Sequence, residues 1–184
     1  MSLIVETGQA GSNSESYCSI ADANAYFSAR NLTLWADSGF SDTEKEGCLR
    51  RCTDYMEQVY RMLWDGTRLT TTQALSWPRA WVRMPDSPGW YGHMRWSGLY
   101  TISYYATNIV PTEVRNACAE LAWRAAFGEL FADQSTPKTS TTVGPISVTY
   151  APGARQTKRY AAVDALLAPL MKSGGSSMAQ VTRA

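Results

Sequence analysis

Residues Pro111 to Phe131 read PTEVRNACAELAWRAAFGELF, and the other predicted elements are expected to pack around them. Its proline fits the first turn of a helix, where the missing N–H costs nothing. At 3.6 residues per turn, one stripe of this helix carries small or apolar side chains, those of Val114, Cys118, Leu121 and Ala125. The opposite stripe is also apolar, with Ala119, Trp123, Phe127 and Leu130. A helix that is apolar on two faces is central in a bundle, or is shared between a core and a partner chain.

Three further segments predict helices that pack around this stretch. Ser41 and Glu44 form a capping box ahead of the clearest amphipathic pattern in the chain, which predicts a helix over residues 42–63. Shorter helices are expected over residues 20–30 and 161–171. The fold class is therefore predicted to be mainly α, a small bundle of about four helices.

Residues 64–110 show no sustained helical period, because proline and glycine interrupt them. They are predicted to form a long inserted loop with a strand at 99–106. The loop is rich in aromatic side chains, including Trp77, Trp81, Trp90, Tyr91, Trp96, Tyr104 and Tyr105. A long loop of this composition binds a partner or covers the core. Arg79, Arg83 and Arg95 are suited to stacking with the tryptophans on single-stranded bases. The same residue types also suit the anchors of a protein interface.

The rest of the chain predicts a hairpin and two arms. Apolar residues alternate with polar ones around a Gly-Pro turn, which predicts a hairpin at about 141–151. A loop rich in Gly, Ser and Asn at residues 8–16 predicts a mobile N-terminal arm that packs as an edge strand or reaches a neighbour. We expect one helical domain over 1–171, followed by a flexible tail, 172–184, that is disordered or docks on a partner.

Composition excludes several classes of protein. Seventeen Lys and Arg against sixteen Asp and Glu give a formal charge of +1, which argues against a strongly basic surface that holds nucleic acid throughout. No apolar run is long enough to span a bilayer, so we expect a cytosolic protein.

Few residues suggest catalysis. The four cysteines, Cys18, Cys48, Cys52 and Cys118, show no CxxC spacing and are interpreted as small buried side chains rather than as a metal site. His93 has no nucleophile placed near it by any motif. We therefore expect no enzyme activity, no catalytic residue, no metal and no cofactor.

Several short motifs occur in an order that resembles one family of tailed-phage proteins. In sequence order they are SYCSIADANAYF (16–27), YRMLWDG (60–66), QALSWPR (73–79), VPTEVRNACAELA (110–122), VGPISVTYAPG (143–153) and RYAAVDALLAPLM (159–171). The family comprises head-to-tail adaptor, or head-completion, proteins, often described as DnaT-like single-stranded-DNA-binding proteins. The resemblance covers most of residues 2–171.

The resemblance implies a structural protein of the virion, located at the head-tail junction and assembled in the host cytoplasm. It implies a ring of about twelve copies below the capsid portal, which extends the DNA channel and docks tail, collar or tail-terminator proteins. DNA would pass through without sequence-specific binding, and no membrane is involved. The alternative implied by the description is a replication accessory protein that binds single strands.

Two sets of candidate residues follow. The candidate interface residues are Trp123, Phe127, Leu130, Trp90, Tyr91, Trp96, Tyr104, Tyr105, Met178 and Val181. The candidate nucleic-acid contacts are Arg79, Arg83 and Arg95. For Trp123, Phe127 and Leu130, two packing partners are expected, the aromatic loop of the same chain or a neighbouring subunit.

Overall fold

In the computed structural model, four α-helices make up most of the described chain. The structure describes residues 2–36, 39–85, 103–131, 140–144, 146–149 and 158–172. The helices are α1 (Ile20–Ser28), α2 (Asp42–Tyr60), α3 (Thr112–Ala126) and α4 (Ala161–Leu167). Short 3-10 turns occupy Thr33–Trp35 and Ala168–Leu170. No helix in this described part is both long and apolar enough to cross a bilayer.

Two small antiparallel hairpins accompany the helices. Strands β1 (Thr67–Arg68) and β2 (Arg79–Ala80) pair with each other, and so do β3 (Ser140–Val143) and β4 (Ile146–Thr149). The β3–β4 hairpin is the one that the alternating pattern predicts, with Gly144 in the left-handed conformation at its turn. The predicted fold class, mainly α with about four helices and a short hairpin, is confirmed.

Local capping signals fix where the first two helices begin. The Ser19 hydroxyl accepts a hydrogen bond from the Asp22 N–H at 3.0 Å, and the Asp22 carboxylate accepts one from the Ser19 N–H in return. Ser41 and Glu44 form the same reciprocal pair at the start of α2. Each box satisfies N–H groups that a helix start leaves without partners, as the sequence predicts.

The helix ends differ from the prediction. α2 ends at Tyr60 rather than at residue 63, because the chain turns there and carries the Trp64 indole into the core, where it is 1% exposed. α3 uses Pro111 as its N-cap and ends at Ala126, five residues before the predicted end. Gly128 follows this end, and glycine favours helix termination.

α3 is the centre of the bundle. It packs most extensively on α2, and it also contacts α1 and α4. The predicted stripe is buried: Val114, Cys118 and Leu121 are 0% exposed. The Cys118 and Cys52 sulfur atoms lie 2.9 Å apart where α3 crosses α2, so the two helices approach closely there.

The second apolar face of α3 is covered mainly from within the chain, by a segment that the sequence did not identify. The ring centroid of Trp123 lies 6.3 Å from that of Phe27 and 6.4 Å from that of Trp35. Leu130 is buried, and its carbonyl accepts a hydrogen bond from the Tyr160 hydroxyl. Phe127 alone of the three predicted residues stays open, at 67% exposed. Trp123 therefore packs on α1 and on the Thr33–Trp35 turn and stays partly exposed, and its predicted contact with the aromatic loop or a neighbouring subunit stays a prediction.

The N-terminal loop is folded around a buried carboxylate. Glu6 is 3% exposed, and its carboxylate accepts hydrogen bonds from the N–H groups of residues 8–11 and from the Ser14 hydroxyl, all at 2.7 to 3.1 Å. Arg50 of α2 donates to Glu15 at 3.0 Å and holds the loop on the helix. Glu6 therefore gives order to a Gly/Ser/Asn-rich loop for which composition alone predicts mobility.

The position of α3 gives a direct stability test. We expect Leu121→Ala to lower the free energy of unfolding by roughly 2–5 kcal/mol, because it leaves a cavity in the core. Phe127→Ala is the control, and it should change that free energy by less than about 1 kcal/mol, because the ring is mostly exposed. Urea unfolding of dilute protein measures both. Equal losses would show that Phe127 is covered in solution and that the core assignment is incomplete.

Candidate interaction surface

The QALSWPR motif folds as a closed loop around its glutamine. The Gln73 side chain is buried, and its Nε2 donates to the carbonyls of Leu75 and Pro78 at 2.8 and 3.0 Å. Its Oε1 accepts from the Thr70 N–H at 2.8 Å. Because a buried amide must have its polar atoms paired, these three bonds fix the path of the loop between β1 and β2.

A second polar cluster ties this loop to the helices. The Glu57 carboxylate on α2 accepts hydrogen bonds from the Ser76 N–H at 2.9 Å, the Ser76 hydroxyl at 2.7 Å, and the Tyr17 hydroxyl. The Tyr17 oxygen in turn accepts from the Ser76 and Trp77 N–H groups. Burial, together with the nearby Glu57 charge, raises the pKa of Tyr17 well above its usual value. Tyr17 therefore stays neutral and acts as a fixed structural link.

Arg79 points into the fold rather than toward solvent. It is 6% exposed, and its guanidinium donates to the carbonyls of Asp65, Gly66 and Ser76 at 2.8, 2.8 and 3.2 Å. Burial lowers the pKa of this guanidinium, which still remains charged at neutral pH. Arg79 clamps the 65–66 turn onto β2. The predicted contact of Arg79 with nucleic acid would require this burial to be undone.

Arg83 lies on the surface beside the same turn. Its side chain is 39% exposed, and its Nε lies 3.4 Å from Asp65 Oδ2. Its backbone N–H also donates to that oxygen, at 3.3 Å. Of the three arginines predicted as nucleic-acid contacts, Arg83 is therefore placed at the surface and Arg79 is buried. Arg95 lies outside the described residues.

Two backbone segments form a short antiparallel ladder next to Arg83. The Met84 N–H donates to the Ser103 carbonyl, and the Tyr105 N–H donates to the Val82 carbonyl, both at 2.9 Å. Arg83 and Tyr104 are thus directly opposite, in the type of pair whose side chains lie closest. The described part of the strand predicted at 99–106 joins this ladder. Its Tyr105 is partly buried and packs against the core.

Trp81 stands out on this ladder because it is both exposed and strained. Its φ of +64° lies in the left-handed region, which a bulky residue rarely adopts. The indole is 68% exposed and meets the ring of Tyr104 edge to face, with centroids 5.6 Å apart. We call Trp81, Arg83 and Tyr104 the hairpin surface. The sequence places Trp81 among the loop aromatics, but no local pattern separates it from Trp77, which is 0% exposed.

A second exposed apolar area lies where α3 ends. Phe127 and Phe131 are 67% and 72% exposed, and we call them the α3 end surface. The Phe127 ring contacts that of Phe40, and the Phe131 ring contacts that of Tyr55. A groove of about 340 Å³ runs beside Phe131 between α2 and the end of α3. Surface aromatic rings of this kind are typical of interfaces.

The remaining predicted interface residues lie outside the described residues, so their predicted roles stay predictions. They are Trp90, Tyr91, Trp96, Met178 and Val181.

The four cysteines are free and buried. In the part of the chain that the structure describes, no group of three or more His, Cys, Asp or Glu side chains has the geometry to hold a metal ion.

One family model matches this chain over nearly its whole length. Its description is "Putative DnaT-like ssDNA binding protein", and it matches residues 1–90 and 95–184. No curated protein and no solved structure matches the chain. The family match confirms the DnaT-like part of the resemblance and leaves the head-to-tail adaptor part as a prediction.

The structural role of Arg79 is testable by a conservative substitution. We expect Arg79→Lys to lower the free energy of unfolding by roughly 2–4 kcal/mol, because a lysine cannot reach three carbonyls at once and leaves some of them unpaired. Arg61→Lys is the matched control, since Arg61 is exposed. Urea unfolding measures both variants. If Arg79→Lys lowers the free energy of unfolding no more than the control does, Arg79 does not hold the 65–66 turn.

Proposed function

The chain belongs to this DnaT-like family, and from that premise we propose that it is an accessory protein that binds single-stranded DNA. The observation that supports the proposal is the hairpin surface, where the exposed rings of Trp81 and Tyr104 meet and Arg83 lies opposite Tyr104 across the ladder. Proteins that hold single strands without sequence preference combine aromatic rings for stacking with basic groups for phosphates. The hairpin surface offers both on one rigid scaffold.

The distribution of charge in the chain implies a modest affinity for single-stranded DNA. The formal charge is +1, and Arg50, Arg124 and Arg159 are each paired with a carboxylate at 2.6 to 3.0 Å. Affinity for a polyanion comes largely from the release of counterions, which needs basic groups that meet phosphates. We therefore expect few phosphate contacts, with stacking carrying a large share of the affinity.

Binding can be measured by fluorescence anisotropy with a labelled oligothymidine, titrated at several salt concentrations. We expect a Kd of roughly micromolar order at low salt, weakening as salt rises with the shallow slope of a few phosphate contacts. A duplex of equal length is the control and should bind more weakly, because its bases are stacked inside and cannot reach the rings. No binding to the single strand at low salt would contradict the proposal.

A second candidate function is the head-to-tail adaptor. It is supported by the order of motifs along residues 16–171 and by the α3 end surface, where two phenylalanine rings are left exposed. Here the protein works by assembly, as a ring of about twelve copies between the portal and the tail proteins. The exposed rings of Phe127 and Phe131 would be buried between neighbouring copies.

Size-exclusion chromatography with light scattering tests this second candidate. The protein is run alone at high concentration and then with purified portal protein, and the adaptor function predicts rings or a portal-bound complex. The double variant Phe127→Ala/Phe131→Ala should lose assembly and keep its fold, because both rings are exposed in the single chain. The exposed Met62→Ala serves as the control for a surface change elsewhere. A protein that stays monomeric and does not bind portal protein would exclude the adaptor function.

A further inference from the structure

We propose that Trp81 and Tyr104 are the base-stacking platform of this protein, and that Asp65 occupies on Arg83 the position that a DNA phosphate takes in the complex. This inference rests on the proposed binding of single-stranded DNA and adds the site and its mode of action. The first part rests on the left-handed backbone and exposed indole of Trp81. The second rests on the geometry of the Asp65–Arg83 ion pair.

The platform is held in place by the contacts beneath it. Gly66, also left-handed, lies so close to β2 that a Cβ added there would meet the Ala80 carbonyl oxygen at 2.2 Å. Arg79 fastens the same turn through two carbonyls, and Val82 is fully buried directly after Trp81. The backbone thus enters and leaves Trp81 along a fixed path. A left-handed tryptophan persists only where the surrounding structure imposes it, and such positions concentrate at functional sites.

The exposure of the ring shows that this arrangement does not serve the core. The fully buried tryptophans, Trp35, Trp64 and Trp77, are at most 1% exposed, whereas Trp81 is 68% exposed. Tyr104 meets it edge to face, at an angle of 89° between the rings. This contact orients the indole and leaves it accessible. A flat ligand that stacks on an open ring fits this shape, and an unpaired nucleobase is such a ligand.

Arg83 supplies the charge next to the rings. It is the partner of Tyr104 across the ladder, in the type of pair whose side chains lie closest, so its guanidinium and the Tyr104 ring share one face. A base on the indole and its phosphate near the guanidinium would therefore engage the same small surface. The Asp65 carboxylate pairs with the Arg83 guanidinium and offsets its positive charge in the free protein.

The Asp65–Arg83 contact is long for a charge-assisted bond. The guanidinium Nε lies 3.4 Å from Asp65 Oδ2, whereas such bonds usually measure about 2.7–2.9 Å. The 3.3 Å contact to the same oxygen comes from the Arg83 backbone N–H. A phosphate also presents oxygen acceptors to a guanidinium. Two of its oxygens can accept from two guanidinium N–H groups at shorter distances. We therefore infer that phosphate replaces Asp65 on Arg83, and that the carboxylate weakens binding by competing for the arginine.

The test compares four variants in the anisotropy assay with labelled oligothymidine. Trp81→Ala should weaken binding about tenfold while leaving the salt slope unchanged, because stacking is not ionic. Trp81→Phe should keep most of the affinity. Asp65→Asn should tighten binding severalfold, and Arg83→Gln should weaken it and reduce the salt slope by about one. Phe127→Ala, an exposed aromatic on the α3 end surface, is the control and should bind like the unmodified protein.

A stability measurement separates function from folding. Trp81→Gly removes the indole and relieves the left-handed strain, so we expect weaker binding of DNA with an unchanged or higher midpoint of urea unfolding. If Trp81→Gly keeps the fold and binds DNA as tightly as the unmodified protein, the indole is not a binding contact and the platform is excluded.

The outcomes distinguish this inference from the function on which it rests. If the unmodified protein does not bind the oligonucleotide at low salt, the proposed function fails. If it binds and the Trp81 and Asp65 variants bind equally well, the function stands and the platform is wrong. If Trp81→Ala keeps DNA binding and loses assembly with portal protein, the hairpin surface is a protein contact and the inference is overturned.

Discussion

α3 carries apolar side chains on two opposite faces, and both faces must be covered by other parts of the chain. A helix with Val114 and Leu121 on one face and Trp123 on the other is stable in water only if both faces are covered. α2 covers the first face so closely that Cys52 and Cys118 touch, and α1 with the Trp35 turn covers the second. The N-terminal loop is held on α2 by the partly exposed Arg50–Glu15 ion pair, and the QALSWPR loop is attached by the hydrogen bonds of Glu57 with Ser76.

Those polar groups distinguish the hairpin region from an ordinary long loop. Gln73 and Arg79 each pair with three backbone groups, and Gln73 closes its own loop while Arg79 reaches the 65–66 turn. Glu57 joins α2 to the N–H and hydroxyl of Ser76 and to the Tyr17 hydroxyl. Buried hydrogen bonds of this kind add specificity, because any other path of the chain would leave a charge or an amide unpaired. The result is a rigid surface that displays Trp81 and Tyr104, while every residue of the QALSWPR motif except Ala74 is buried.

Local signals made part of this structure predictable, and long-range contacts decided the rest. The capping boxes at Ser19 and Ser41 depend on residues three apart, so the sequence alone locates both helix starts. The end of α2 depends on where the Trp64 side chain packs in the core, and no local sequence pattern specifies that position. Likewise, Trp123 meets Phe27 and Trp35 across the fold. Arg79 looks like a surface arginine in sequence, and only the carbonyls of the 65–66 turn show why it is buried.

Direct mapping of the DNA contact tests the central claim most sharply. An oligothymidine carrying 5-iodouracil is bound to the unmodified protein, irradiated, and the crosslinked peptides are identified by mass spectrometry. We expect crosslinks at Trp81 or Tyr104, the exposed rings of the hairpin surface, and their loss when unlabelled single strand competes. Crosslinks confined to the α3 end surface, or none above those of a duplex control, would contradict it.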